Sequence, residues 1–149
     1  MDFYNTLDFN EKKGFICDMD GVIYHGNRVL PGVAEFIQWL HDENKEYLFL
    51  TNNSGYTPRE LSQKLARMGL DVTEEHFYTS ALATAAFLRD QAPGCSVFAI
   101  GEAGLLNALY DAGITMNDVN PDYVVVGEGR SYSLDTLTKA TNLVWRGAK

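Results

Sequence analysis

The residues Phe15-Ile16-Cys17-Asp18-Met19-Asp20-Gly21-Val22 constrain this chain more than any other stretch. An apolar lead-in runs into two carboxylates one residue apart, and a glycine follows at once. Phe15 to Cys17 have the character of a buried strand, predicted over about Gly14 to Met19. Gly21 lets the backbone turn sharply out of it. Asp18 and Asp20 then stand at or just past the strand's C-terminal end, where ligands bind in open α/β sheets. Two acids so close repel each other and have no use in a packed core. A divalent cation would resolve that cost. An isolated Asp-x-Asp-Gly is commonly no more than a turn. The strand before it, and a second polar cluster after Leu50, make it a candidate site.

Asp20 to Leu30 reads as a loop, and Pro31 suits the first turn of a helix. Val33, Phe36, Ile37 and Leu40 have the spacing of a buried helical stripe. Tyr47 to Thr51 reads as the second strand. Its near-continuous apolar character predicts burial on both faces of a parallel sheet. It runs into Thr51-Asn52-Asn53-Ser54-Gly55, rich in turn formers. Thr57, Pro58 and Glu60 then spell a helix start with a capping box. Leu61, Leu65 and Met68 form its buried side, and Gly69 closes it. Strand, helix, strand, helix predicts a parallel sheet with right-handed crossovers. Both polar clusters follow strands, so Asp18, Asp20, Thr51 and Asn52 converge on one sheet edge.

A short strand at about His76 to Thr79 follows, then a helix capped by Ser80 and running through Leu88. Beyond Pro93-Gly94 the pattern repeats. Val97 to Ile100 leads into Gly101-Glu102 and a helix with Leu105, Leu106 and Leu109, up to Gly113. Tyr123 to Val126 leads into Gly127-Glu128 and a helix from about Ser133 to Arg146, with Leu137, Ala140 and Val144 as its inward side. Two strand–Gly-Glu–helix units in tandem predict a second α/β layer. Gly101-Glu-Ala-Gly104 lacks the third glycine of a dinucleotide loop and reads as a tight strand-to-helix turn.

Composition removes whole classes of function. Twelve Lys and Arg against 20 Asp and Glu give a formal charge of −8 over 149 residues, which argues against a nucleic-acid surface. Residues 1–13 form a polar lead-in without the apolar run of a signal peptide. No stretch approaches the ~20 apolar residues of a membrane span. Two cysteines, Cys17 and Cys95, offer no disulfide framework, so the expected setting is the cytoplasm. His25, His41 and His76 read as loop or surface residues.

The convergent residues suit phosphoryl transfer. Asp18 is placed to attack phosphorus, forming an aspartyl-phosphate that divides one hard hydrolysis into two easier steps. Asp20 is placed to protonate the leaving oxygen and then deprotonate water, help worth typically ~10²–10⁴-fold. Mg²⁺ would neutralise the carboxylates and the developing charge. Thr51, Asn52 and their neighbour Asn53 supply donors for phosphoryl oxygens.

Asp18-Met-Asp-Gly-Val22 followed by Leu50-Thr-Asn-Asn-Ser54 resembles the first two motifs of the haloacid dehalogenase superfamily of phosphatases. Thr57-Pro-Arg-Glu-Leu61, Lys64-Leu-Ala-Arg-Met-Gly69, Tyr78-Thr-Ser-Ala-Leu-Ala-Thr-Ala-Ala86 and Asn120-Pro-Asp-Tyr-Val-Val-Val-Gly-Glu128 are similar to its NagD-like, or p-nitrophenylphosphatase-like, branch. The resemblance implies a partial Rossmann-like parallel core sheet over residues 14–80 and an α/β C2-type cap over 81–149. It implies Asp18 as nucleophile, Asp20 as acid/base, and Thr51 and Asn52 as phosphoryl-positioning residues. The Mg²⁺ ligands it implies are the Asp18 carboxylate and the Asp20 backbone carbonyl. The substrate class would be small phosphomonoesters such as nucleoside monophosphates or sugar phosphates.

The family pattern also has a lysine that steadies the phosphorylated intermediate and an acidic motif that completes the Mg²⁺ site, both after the cap. Neither is found within these 149 residues, so the chain is expected to be truncated after an incomplete cap. The expected consequences are impaired activity, an exposed apolar sheet edge and helix-facing surface, and self-association through them. The alternative is a truncated α/β module, non-catalytic, acting in binding or assembly. A phosphotransferase using the same aspartyl-phosphate would need an acceptor the sequence does not reveal.

Overall fold

The computed structural model describes residues 8–130 and 132–149. Most of the polar lead-in, residues 1–7, lies outside the described residues. The elements run β1 (Gly14–Asp18), β2 (Tyr24–His25), β3 (Arg28–Val29), α1 (Val33–Asp42), β4 (Glu46–Thr51), α2 (Pro58–Arg67), β5 (Phe77–Thr79), α3 (Ser80–Gln91), β6 (Ser96–Ile100), α4 (Ala103–Asp111), β7 (Thr115–Met116), β8 (Tyr123–Val126) and α5 (Leu134–Trp145). A single 3-10 turn, Glu74–His76, leads into β5.

β1, β4 and β5 form a parallel sheet in that order. Each step moves the same way across the sheet. Right-handed crossovers therefore put α1 and α2 on one face. There Val33, Ile37 and Leu40 of α1 meet Leu61 and Leu65 of α2 over Tyr47, Phe49 and Phe77. The other face is bare, with Ile16 71% exposed, Leu50 38% and Tyr78 39%. This bare face is the exposed helix-facing surface expected above, and it corrects the expectation that β4 is buried on both faces. Tyr47, Phe49 and Thr51 point inward while Glu46 and Leu50 are exposed, a period-2 pattern of one-sided cover.

The second sheet, β7-β6-β8, is also parallel. Val97, Ala99, Tyr123 and Val125 face α3 and α4, where Ala81, Ala85, Leu88, Leu105 and Leu109 close a second apolar cluster. Phe98 alternates to the opposite side, where Lys139 of α5 sits 5.3 Å from its ring centroid. The second sheet is thus clothed on both faces.

Local signals account for most boundaries. The Thr57–Glu60 capping box is formed in both directions, with Pro58 at the start of α2. Gly69 turns left-handed after that helix. α1 begins two residues past Pro31, capped by Gly32 at φ +84°. Four expectations need correction. Asp20 to Leu30 is not all loop: β2 and β3 make a short antiparallel hairpin. Thr79, not Ser80, caps α3, its hydroxyl accepting from Leu82 N. Leu106 is 40% exposed, so Leu105 and Leu109 carry the inward side of α4. In α5 the buried pair is Ala140 and Leu143, while Leu137 and Val144 are 40% and 50% exposed.

His41 and His76 have specific partners. The His41 ring hydrogen-bonds the Tyr47 hydroxyl at 2.9 Å, and the His76 ring stacks on Tyr47 with centroids 3.8 Å apart. No helix among the described residues is long and apolar enough to cross a membrane.

Candidate active site

Asp18 is the last residue of β1 and pairs in register with Leu50, one residue before Thr51. That register places the first acid beside the start of the polar loop after β4. One Asp18 oxygen, Oδ1, accepts from Met19 N at 2.7 Å, leaving the other for chemistry. Beyond Asp18 the chain makes a tight turn. Val22, Ile23 and Tyr24 all aim their amides at the Met19 carbonyl, and Gly21 N donates to Tyr24 O at 2.8 Å. Gly21 has φ +79°, the backbone shape for which glycine is suited. Met19 and Ile23 are buried while Asp18 and Asp20 stay exposed. The turn therefore anchors itself by its apolar residues and presents both acids outward.

Tyr24 was not singled out by the sequence. It is 3% exposed, and Lys64 Nζ lies 3.8 Å from its ring centroid. Burial first, then the charge and hydrogen bonding of Asp20, push its hydroxyl up to about 12.

The loop after β4 is fixed from several sides. The buried Thr51 accepts from Asn53 N at 3.1 Å through Oγ1; its own hydroxyl proton is available to an incoming oxygen. Asn52 is exposed, and its carbonyl accepts from Ser80 Oγ at 2.6 Å. Asn53 Oδ1 accepts from both Gly55 N and Tyr56 N at 2.9 Å. Its carboxamide oxygen is spent on the turn, and only its NH₂ remains to be offered outward.

A cleft of about 490 Å³ opens above this edge, lined by Asp20, Asn52, Asn53 and Ser80 on one side and by Val126, Gly127 and Glu128 on the other. Asn53 and Glu128 also line an adjoining cavity of about 380 Å³, with Tyr56, Glu102 and Arg130. Asp20, Asn52 and Asn53 thus share one cleft, whereas Asp18 and Thr51 sit at the strand ends beside it. The far wall of the cleft comes from the second sheet and includes Glu128, one of two glutamates, with Glu102, that follow glycines at strand ends and read equally well as substrate-facing or as acidic helix starts; nothing local in the sequence shows that they face the β4 loop.

Asp18 and Asp20 stand at this edge as carboxylates that could hold a cation, with Glu128 across the cleft from Asp20. Among the described residues no group of three or more His, Cys, Asp and Glu is placed to hold a metal ion. Two hard oxygen donors still suit Mg²⁺, which keeps several waters and takes one or two carboxylates.

Residues 15–115 match the haloacid dehalogenase-like hydrolase family. The dihydroxyacetone phosphatase of Corynebacterium glutamicum is 45% identical over 91% of this chain and 49% of its own length. The ribonucleotide monophosphatase NagD of Escherichia coli is 46% identical over 92% of this chain and 54% of its own. The solved structure of NagD from E. coli K-12 superposes with a TM-score of 0.86 over the same shares. A 4-nitrophenylphosphatase structure from Thermotoga maritima reaches 0.86 at 33% identity, covering 93% of this chain and 53% of that one. The chain spans about half the length of the curated relatives it matches.

Proposed function

Because this chain belongs to the haloacid dehalogenase-like hydrolase family, we propose that it carries the nucleophile and acid/base of a Mg²⁺-dependent phosphomonoesterase. The observation that carries the reading is the β1–β4 register, which sets Asp18 against Leu50 and so brings the acidic turn beside the Thr51–Asn53 loop. Residues 14–80 act as a partial core and residues 81–149 as a cap over the cleft. Small phosphorylated metabolites fit, since the relatives are named a dihydroxyacetone phosphatase and a ribonucleotide monophosphatase. The two free thiols, Cys17 and Cys95, suit a reducing cytoplasm.

The unheld oxygen of Asp18 attacks phosphorus and displaces the leaving-group oxygen, giving an aspartyl-phosphate. Asp20 donates the proton that the leaving oxygen takes up, then accepts one from the water that hydrolyses the intermediate. The Thr51 hydroxyl and the carboxamide NH₂ groups of Asn52 and Asn53 donate to phosphoryl oxygens. Mg²⁺ held by the Asp18 carboxylate and the Asp20 carbonyl would neutralise the charge gathered there.

The test is hydrolysis of p-nitrophenyl phosphate with and without Mg²⁺. Turnover that requires Mg²⁺ and disappears in Asp18→Asn supports the reading; turnover unchanged in Asp18→Asn contradicts it. The bare face of the first sheet favours a second reading, a binding or assembly module whose exposed Ile16, Leu50 and Tyr78 meet another copy. Light scattering decides that one: an active monomer eliminates it, and an inactive oligomer supports it.

A further inference from the structure

Ser54 lies inside the polar loop but makes its hydrogen bond across the molecule. It is only 6% exposed, and its Oγ accepts from Glu128 N, 74 residues away, at 2.6 Å. One residue on, Gly55 O accepts from Gly104 N at 3.0 Å. Next, the Tyr56 hydroxyl accepts from Arg130 Nη2 at 3.2 Å. Three successive residues of the β4 loop are therefore held by the second sheet.

The approach is close enough to exclude side chains. A Cβ on Gly104 would stand 2.5 Å from Tyr56 O and 2.6 Å from Ser54 O, both backbone atoms that cannot swing away. A Cβ on Gly127 would stand 2.9 Å from Ser54 Oγ and 2.7 Å from Leu105 Cδ2. Neither glycine has a left-handed backbone that would by itself call for glycine; among the described residues the positive-φ set omits both. Their missing side chains serve proximity. This also accounts for the second glycine of Gly101-Glu-Ala-Gly104, which the nucleotide-loop comparison left without a role.

The two Gly-Glu turns are tied to each other as well. Glu102 N donates to Glu128 O at 3.3 Å, and Arg130 N donates to Glu102 Oε1 at 3.1 Å. They form one cradle with the β4 loop seated in it. On the other side of the loop, Ser80 Oγ holds the Asn52 carbonyl.

We infer that Ser54, seated against Gly104 and Gly127, is a positioning residue that clamps the phosphoryl-binding loop to the second sheet, so that occupancy of Asn52 and Asn53 is felt at Glu128. The clamp rests on the hydrogen bonds and the side-chain-free contact. Its link to phosphate rests on the proposed phosphomonoesterase site.

Residue-resolved amide hydrogen exchange on the full chain tests the clamp without a ligand. Glu128 and Gly104 amides are expected to be protected. Ser54→Ala should speed exchange at Glu128 by about tenfold, the scale of one hydrogen bond, while Leu109 in α4 keeps its rate and reports an intact fold. Gly104→Ala should speed exchange at both Glu128 and residue 104. Equal Glu128 exchange in wild type and Ser54→Ala overturns the clamp, even if Gly104→Ala fails to fold.

Titration with Mg²⁺ and inorganic phosphate tests the coupling. In wild type the amide signals of Asn52, Asn53 and Glu128 should move with one midpoint. In Ser54→Ala those of Asn52 and Asn53 should still move, at a weaker midpoint, and Glu128 should not. Shifts at Asn52 and Asn53 with Glu128 silent in wild type overturn the coupling. No shift at Asn52 or Asn53 overturns the phosphate-site reading instead, and the exchange result then judges the clamp alone.

Discussion

The two sheets of this chain are built from the same strand–turn–helix unit but end up differently covered. In β1-β4-β5 each strand is added on the same side of the last, so both connecting helices fall on one face and Ile16, Leu50 and Tyr78 stay bare. In β7-β6-β8 the chain crosses back over β6, and α5 comes to the face opposite α3 and α4. In the first sheet, cover follows from strand order and crossover hand, not from how apolar a strand is. The half-covered sheet is also the one that carries the acids.

The comparison breaks most decisively in the cores. Phe49 is fully buried on the covered face of the first sheet. Phe49→Ala should cost about 3–5 kcal/mol, read by denaturant unfolding. Leu109→Ala, in the second cluster, should cost about 2–5 kcal/mol. If either change is nearly neutral, the cluster concerned is not a packed core.

Next in size is the start of α2. Thr57→Ala removes the hydroxyl half of the capping box and should cost about 1 kcal/mol.

Two titrations sharpen the contrast through pH. Tyr24 and Tyr47, both in the first core, have hydroxyls raised to about 12, mainly by burial. The folded state therefore prefers the neutral phenol. The stability this gives is complete below the ordinary tyrosine value of 10 and is lost between there and about 12. Tyrosinate absorbance followed against pH should show two late-titrating tyrosines that become ordinary on unfolding. The second sheet is sensitive at the acid end. Asp122 accepts from the backbone N and the hydroxyl of Ser96, which hold its carboxyl below the usual range. Its contribution is present above the ordinary carboxylate value and disappears as pH falls through the lowered one. Asp122→Asn should flatten that acid limb of the stability profile.

The smallest effect belongs to the bare face. Ile16→Ser should change unfolding stability by no more than about 0.5 kcal/mol, because Ile16 is already 71% exposed. If the face meets a second copy, the same change should lower the mass seen by light scattering.

The elements that positioned the acids were legible because their signals are local. The apolar run before Asp18, the Thr57-Pro58-Glu60 start of α2 and the strand–helix alternation each state their own structure. β4 reads as buried on both faces because Leu48 and Leu50 look like core residues; strand order leaves their face without a helix among the described residues, so Leu48 is half-buried and Leu50 38% exposed. The hairpin at Tyr24–Val29 was missed because its strands are two residues each, too short for any periodicity. Within the candidate site, Asp18, Asp20, Thr51 and Asn52 stand out in the sequence because each follows a strand. The Ser54–Glu128 pairing does not, since it spans 74 residues and depends on Gly104 and Gly127 having no side chain.

The central claim is that Asp18 is a nucleophile poised for phosphorus at the edge shared with the Thr51–Asn53 loop. Beryllium fluoride mimics a phosphoryl group on a carboxylate, and fluorine NMR reports its capture whether or not turnover is fast. With Mg²⁺ present, the wild-type chain should give a bound fluoride signal that disappears on chelation of Mg²⁺ and is absent in Asp18→Asn. A bound signal of equal strength in Asp18→Asn, or none in the folded wild-type chain, would contradict the account.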